Sequence, residues 1–141
     1  MAPPAMAKCV LPADAAAQIR ETRGQINAYR TQAGLPALRQ NTKLAAAAAS
    51  HACDMADRGK ISHSGSNGSD FAQRIKTRGY NFSAANENVG MFGTGKAAQW
   101  WYNSPGHRAN MLSPKITEIG LGIALGADKQ VYWVMVGGSP R

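Results

Sequence analysis

The run Glu118 to Leu125 restricts the possible folds of this chain more than any other stretch. Ile119, Leu121, Ile123 and Leu125 alternate with Glu118, Gly120, Gly122 and Ala124. That is the two-residue period of a β-strand with one apolar face. The other face is nearly bare, and glycines there let another element or a ligand come close to the backbone. The turn Gly126-Ala127-Asp128-Lys129 leads into a second strand, 131–136. It has almost no polar interruption, which predicts cover on both of its sides.

A sheet of this kind needs helices to cover it, and the N-terminal half supplies them. Asp14 is a candidate cap for a first helix carrying Ile19, Arg23, Ile26 and Tyr29 or Arg30 at helical spacing. Gly34 stops it, and Pro36 prevents continuation. Asn41 caps a second helix over about 42–58, with Gly59 as its stop. Leu44, Ala48, His51 and Met55 form its inward stripe. His51 at the centre of that stripe is expected to be buried with a hydrogen-bond partner. Cys53 points away from the stripe at ~100° per residue. Ser69 can cap a third helix over 70–78, with Phe71, Ala72 and Ile75 inward. Residues 80–85 read as irregular, and 86–92 as a strand. A helix over about 96–103 follows the Gly93-Thr94-Gly95 break. Ser104-Pro105 opens one further short helix. Helices first and strands mainly last predict an α+β fold, with an antiparallel sheet layered between helices.

The 141 residues fit one domain. A loose Pro- and Ala-rich segment over 1–13 precedes a single domain over 14–141. Hydrophobic residues make up 44% and charged residues 17%, which excludes a disordered composition. No apolar run approaches the ~20 residues of a membrane span. The net charge of +8 is scattered, with no run of five basic residues. A nucleic-acid arm is therefore not expected. The start of the chain shows no charged first segment and no apolar core, so a mature chain after removal of a signal peptide is expected. Two cysteines, Cys9 and Cys53, make no C-x-x-C motif and permit one disulfide.

The candidate chemistry lies in 85–111. Glu87 stands between Asn86 and Asn88, and His107 lies in Ser104-Pro105-Gly106-His107-Arg108. A second imidazole, His63, lies upstream in Ile61-Ser62-His63-Ser64-Gly65. Two imidazoles and a carboxylate are adequate ligands for zinc with an open position for water. The two histidines sit on separate elements, so spacing alone does not bring them together.

The landmarks in order resemble one family. They are Ile26-Asn27-Ala28-Tyr29-Arg30, Gly34-Leu35-Pro36-Ala37-Leu38, His51 with Asp54-Met55, His63-Ser64-Gly65, Arg74 with Gly79-Tyr80, Glu87-Asn88-Val89, Trp101, Ser104-Pro105-Gly106-His107-Arg108, Glu118-Ile119-Gly120 and Tyr132-Trp133-Val134. Together they resemble a bacterial CAP-domain protein of the SCP-like branch, over about 14–138. The superfamily is named for cysteine-rich secretory proteins, antigen 5 and pathogenesis-related plant proteins. The resemblance implies a three-layer α-β-α sandwich with a central antiparallel sheet. It implies a secreted or periplasmic location, and a cleft lined by histidines and acids that binds divalent metal in some members. By motif match His63, Glu87 and His107 line that cleft, with His63 and His107 as metal ligands. Eukaryotic members often carry a second glutamate after the Trp-Tyr pair, where this chain has Asn103 and Ser104. Glu118, at the start of the glycine-faced strand, is the candidate replacement.

Members of this family are often extracellular binding modules for lipid, glycan or protein ligands, so the expected function is a monomeric binding module rather than an enzyme. Trp100, Trp101, Tyr102 and Met111 are either core aromatics and core methionine or an apolar groove beside the cleft. The alternative is a metal-dependent or serine-type hydrolase using the same cleft. Ser64 adjoins His63 and Ser104 is near His107, but there is no G-x-S-x-G elbow, and both serines read as turn and cap residues. Export would place Cys9 and Cys53 in an oxidising compartment and favour a bridge between them. The rival is two free thiols in a cytosolic chain.

Overall fold

The computed structural model describes residues 9–141. Helix α1 spans Ala15–Gln32, strand β1 Arg39–Gln40, helix α2 Thr42–Arg58 and helix α3 Phe71–Thr77. Strand β2 (Phe82–Met91), helices α4 (Ala97–Tyr102) and α5 (Pro105–Met111), and strands β3 (Glu118–Leu125) and β4 (Val131–Pro140) follow. The sheet order is β1-β3-β4-β2. β4 runs antiparallel to both β3 and β2. The short β1 pairs parallel with β3 at the edge of this antiparallel sheet.

Helices cover both faces. On one, Leu44, Ala48, Met55 and Ile75 of α2 and α3 pack on Tyr132, Val134 and Val136. On the other, Ile26, Trp101 and Met111 of α1, α4 and α5 pack on Ile119, Ile123, Trp133 and Met135. This is the expected three-layer α-β-α sandwich.

The bare face of β3 is where α2 lies. A Cβ at Gly120 would collide with the backbone of Leu44 and Ala45, and one at Gly122 with that of Ala48 and Ala49. The close approach read from the alternation is therefore made by a helix.

Caps fix the helices that precede the site. Asn41 Oδ1 accepts from the N–H groups of Lys43 and Leu44, and Gly59 ends α2 at φ 65°. Asp70, one residue later than expected, caps α3 in a reciprocal box with Gln73. Asp14 holds the cap position of α1 in left-handed backbone (φ 57°) and makes no side-chain cap bond. A capping side chain reaches the first turn from the β region instead. The buried face of α1 is Gln18, Thr22, Ile26 and Arg30, so the expected stripe is rotated. Arg30 is 1% exposed, and its guanidinium donates to the carbonyls of Pro36, Met111, Ser113 and Ile116. Strand β2 begins at Phe82, within the stretch expected to be irregular.

Residues 1–8 of the expected loose segment lie outside the described residues. At its end the chain is tied down: Leu125 N–H donates to Val10 O, and Cys9 is bonded to Cys53. Cys53 is buried within the core beneath α2, against the expectation that it faces away. Half-buried Cys9 packs there beside it. Among the described residues no helix is long and apolar enough to cross a membrane.

Candidate functional site

Glu87 is carried by β2 opposite Val136, on the sheet face that α2 and α3 cover. Its side chain is 1% exposed, so its charge needs partners. Arg74 of α3 supplies one, with Nη2 donating to Oε2 at 2.8 Å. His63 supplies the other, with Nδ1 2.9 Å from Oε1. A carboxylate only accepts, so Nδ1 carries the proton and Nε2 is the open nitrogen of a ring that is 59% exposed. The acid thus fixes the tautomer and orientation of a histidine that faces solvent.

The loop carrying His63 is held from below. Arg74 Nη2 also donates to His63 O at 3.0 Å. His51 Nε2 donates to Ser62 O at 2.6 Å, and Ser66 N–H donates to Asp54 at 2.8 Å. His51 is 1% exposed, buried with a partner as the stripe predicts. Burial is the main cause that holds its ring below the ordinary imidazole range. Glu87 opposes that lowering and Arg74 adds to it.

His107 is carried by α5, which the two asparagines around Glu87 attach to β2. Asn88 Nδ2 donates to His107 O at 2.9 Å. Asn110 Nδ2 donates to Glu87 O at 3.1 Å and to Asn88 Oδ1 at 2.9 Å, and Asn86 Nδ2 donates to Asn110 O at 3.2 Å. The His107 ring is held below its ordinary value, first by burial and then by the nearby charge of His63.

Glu118 does not join this group. It pairs with Gly138 while Glu87 pairs with Val136, two strands away across the sheet. Its Oε1 accepts from Tyr80 Oη at 2.6 Å. Burial, then that acceptor, pushes the Tyr80 phenol above the ordinary tyrosine range. Arg74 was missed as a site residue, although a lone inward acid on β2 requires a cation. Trp101 and Met111 are fully buried core, Tyr102 stacks on Tyr29, and Trp100 stands 61% exposed beside Phe92.

The donor set does not fit a three-ligand zinc centre. Both oxygens of Glu87 are engaged by Arg74 and His63. Among the described residues no three His, Cys, Asp or Glu side chains are grouped to hold a metal ion.

A sheet held between two helical layers, with a buried acid orienting a surface histidine at its edge, defines a CAP-type domain. The chain belongs to the cysteine-rich secretory protein family, whose sequence profile matches residues 24–136. It is 35% identical over 99 residues to YkwD of Bacillus subtilis (strain 168), covering 68% of this chain and 38% of that protein. It is 30% identical over 108 residues to the membrane protein YlbC of the same organism, covering 75% of this chain and 30% of that protein. It therefore spans well under half the length of these curated relatives. An outer surface protein of Borrelia burgdorferi shares the fold with a TM-score of 0.84 at 20% identity, over 91% of this chain and 96% of that one. An extracellular protein containing an SCP domain from Bacillus anthracis superposes with a TM-score of 0.77 at 26% identity, over 87% of this chain and 40% of that one.

Proposed function

We propose that this chain is a secreted or periplasmic binding module that takes an extracellular lipid, glycan or protein ligand at the cleft of His63, Glu87 and His107. The observation that carries this reading is the Glu87–His63 hydrogen bond, anchored by Arg74, which leaves an oriented Nε2 facing solvent. The extracellular relative from Bacillus anthracis and the Cys9–Cys53 bridge support the location. A divalent ion would find two imidazoles here, from His63 and His107, and would bind weakly. Glu118 stays outside the proposed site.

The test compares wild type with His63→Ala and His107→Ala for retention on isolated cell walls and on liposomes, with zinc titrated by calorimetry in parallel. Retention or zinc uptake lost in both variants, with folding intact, supports the cleft. Equal binding by all three proteins removes it.

The hydrolase reading draws on the same dyad, because an acid-oriented imidazole can accept a proton from a nucleophile. Chelator-sensitive turnover of a peptide library, lost in His63→Ala, would favour it.

A further inference from the structure

The net charge of +8 is scattered along the sequence, and the fold gathers part of it at one end of the sheet. There Arg39 pairs with Glu118, Glu118 with Gly138, and Phe82 with Pro140. Helix α2 starts at this end and α3 finishes at it. Lys43 Nζ donates to Gly79 O at 3.2 Å, which joins the two helix ends. Arg78 immediately precedes that glycine, and Lys76 Nζ lies 5.5 Å from the centre of the Phe82 ring. Arg39 is near enough to Tyr80 for its charge to act on the phenol. Lys115 is held at the same end, where Ser139 Oγ donates to Lys115 O at 2.6 Å.

Arg39, Lys43, Lys76, Arg78 and Lys115 are all exposed, and none is in an ion pair among the described residues. The acid among them is Glu118, which is half-buried and accepts from Tyr80 Oη at 2.6 Å. The opposite end of the sheet differs. Lys129 shares a cavity wall with Asp57, and Glu21 reaches Gly95 beside Lys96. Unmatched positive charge is thus concentrated at one pole, and like charges held together favour an anionic partner. Guanidinium forks take two oxygens of one phosphate, and an ammonium group binds phosphate as a point charge. The exposed large apolar side chains among the described residues are Val10, Leu11, Ile61, Met91 and Trp100, none of them at this pole. A bilayer therefore finds no apolar anchor here. Nor do nucleic-acid bases find a ring to stack on, since Tyr80 is buried and the Phe82 ring lies under Lys76. A hydrated, flexible chain with a phosphodiester in each repeat suits the surface.

We propose that this end of the sheet binds a polyol-phosphate polymer, with successive phosphodiesters against Arg39, Lys43, Lys76, Arg78 and Lys115. The surface is separate from the His63 cleft and does not depend on the function proposed for it.

The probe is poly(glycerol phosphate), titrated into the whole chain and followed by NMR. The expected result is saturable shifts over 39–43, 76–82 and 115–118, with affinity falling about tenfold between about 50 and about 200 mM salt. Lys43→Gln, Lys76→Gln and Arg78→Gln combined should weaken binding by about tenfold or more, with circular dichroism unchanged. Arg20→Gln, Lys60→Gln and Lys96→Gln combined remove the same charge from other surfaces and should stay within about twofold of wild type. Arg78→Gln alone, on an exposed side chain, should give a partial loss and keeps the test sound if the first triple variant fails to fold. His63→Ala and His107→Ala should bind the polymer as wild type does, so failure of the cleft reading is told apart from failure here. Four outcomes would overturn the proposal: no saturation; equal losses in the two triple variants, as for net charge alone; tighter binding of charge-matched oligodeoxythymidylate or polyglutamate than of the polyol phosphate; or adsorption to phosphatidylglycerol vesicles without binding of the polymer.

Discussion

Glu87 governs the electrostatics of the site because it is buried and charged, with each oxygen matched to a different cation or donor. Removing one partner of such a pair leaves an uncompensated buried charge. Arg74→Met should therefore lower the unfolding free energy by about 3 kcal/mol in urea titration. Arg74→Met combined with Glu87→Leu should recover much of that loss, and a double variant no more stable than the single one would contradict this account. His51 adds a pH dependence. Its ring is held below the ordinary value of 6.5, chiefly by burial, with Glu87 and Asp54 opposing that shift and Arg74 reinforcing it. The unfolded chain takes up this proton near 6.5 and the folded chain only at lower pH. The stabilisation is thus complete above 6.5 and is lost as pH falls toward the folded value. The thermal midpoint should drop between about pH 7 and about pH 5, and His51→Gln should flatten that drop. The motifs singled out His63, Glu87 and His107 as candidates, and the structure joins the first two by a hydrogen bond. Arg74 stood among the landmarks but not among the site candidates, because an arginine four residues into a short exposed helix reads as solvated until the acid it faces is known to be buried.

At the scale of elements, the seating of α2 on β3 decides where the site forms. That helix carries His51 and Cys53 and delivers the chain into the His63 loop. Gly120 and Gly122 let its backbone touch the sheet. Gly122→Ala should destabilise the fold by about 3 kcal/mol, because the new methyl meets helix backbone rather than a side chain able to move. Gly24→Ala in α1 meets nothing within 4 Å and should stabilise by about 0.5–1 kcal/mol. Denaturant midpoints of the two variants, moving in opposite directions, would check both. The alternation in β3 made the close approach readable. The inner face of α1 was harder to read, because Gln18, Thr22 and Arg30 point inward. Periodicity finds apolar stripes, and a buried guanidinium bonded to four carbonyls leaves no such mark. Strand β1 is two exposed polar residues, Arg39 and Gln40, and exists only because β3 offers it an edge.

At the scale of the whole molecule, the Cys9–Cys53 bridge closes 44 residues of separation. The chain-entropy model assigns such a loop about 4 kcal/mol of stabilisation. Denatured, unreduced protein should show no reactive thiol, and dithiothreitol should shift the denaturant midpoint downward; two titratable thiols per chain would contradict the bridge. The sequence pointed to the pairing through the even cysteine count, the expected export and the expectation that Cys53 faces away from the stripe of α2; the last did not hold, since Cys53 lies in the core. The bridge also sets the route of mechanical load. A pull applied ahead of Cys9 passes through sulfur into the middle of α2, so α1, β1 and the first part of α2 bear no tension while it is intact. A pull on Arg141 shears β4 against both of its neighbours at once. In single-molecule stretching the oxidised chain should therefore release about 150 Å less contour than the reduced one, with α1 and β1 sheltered from force.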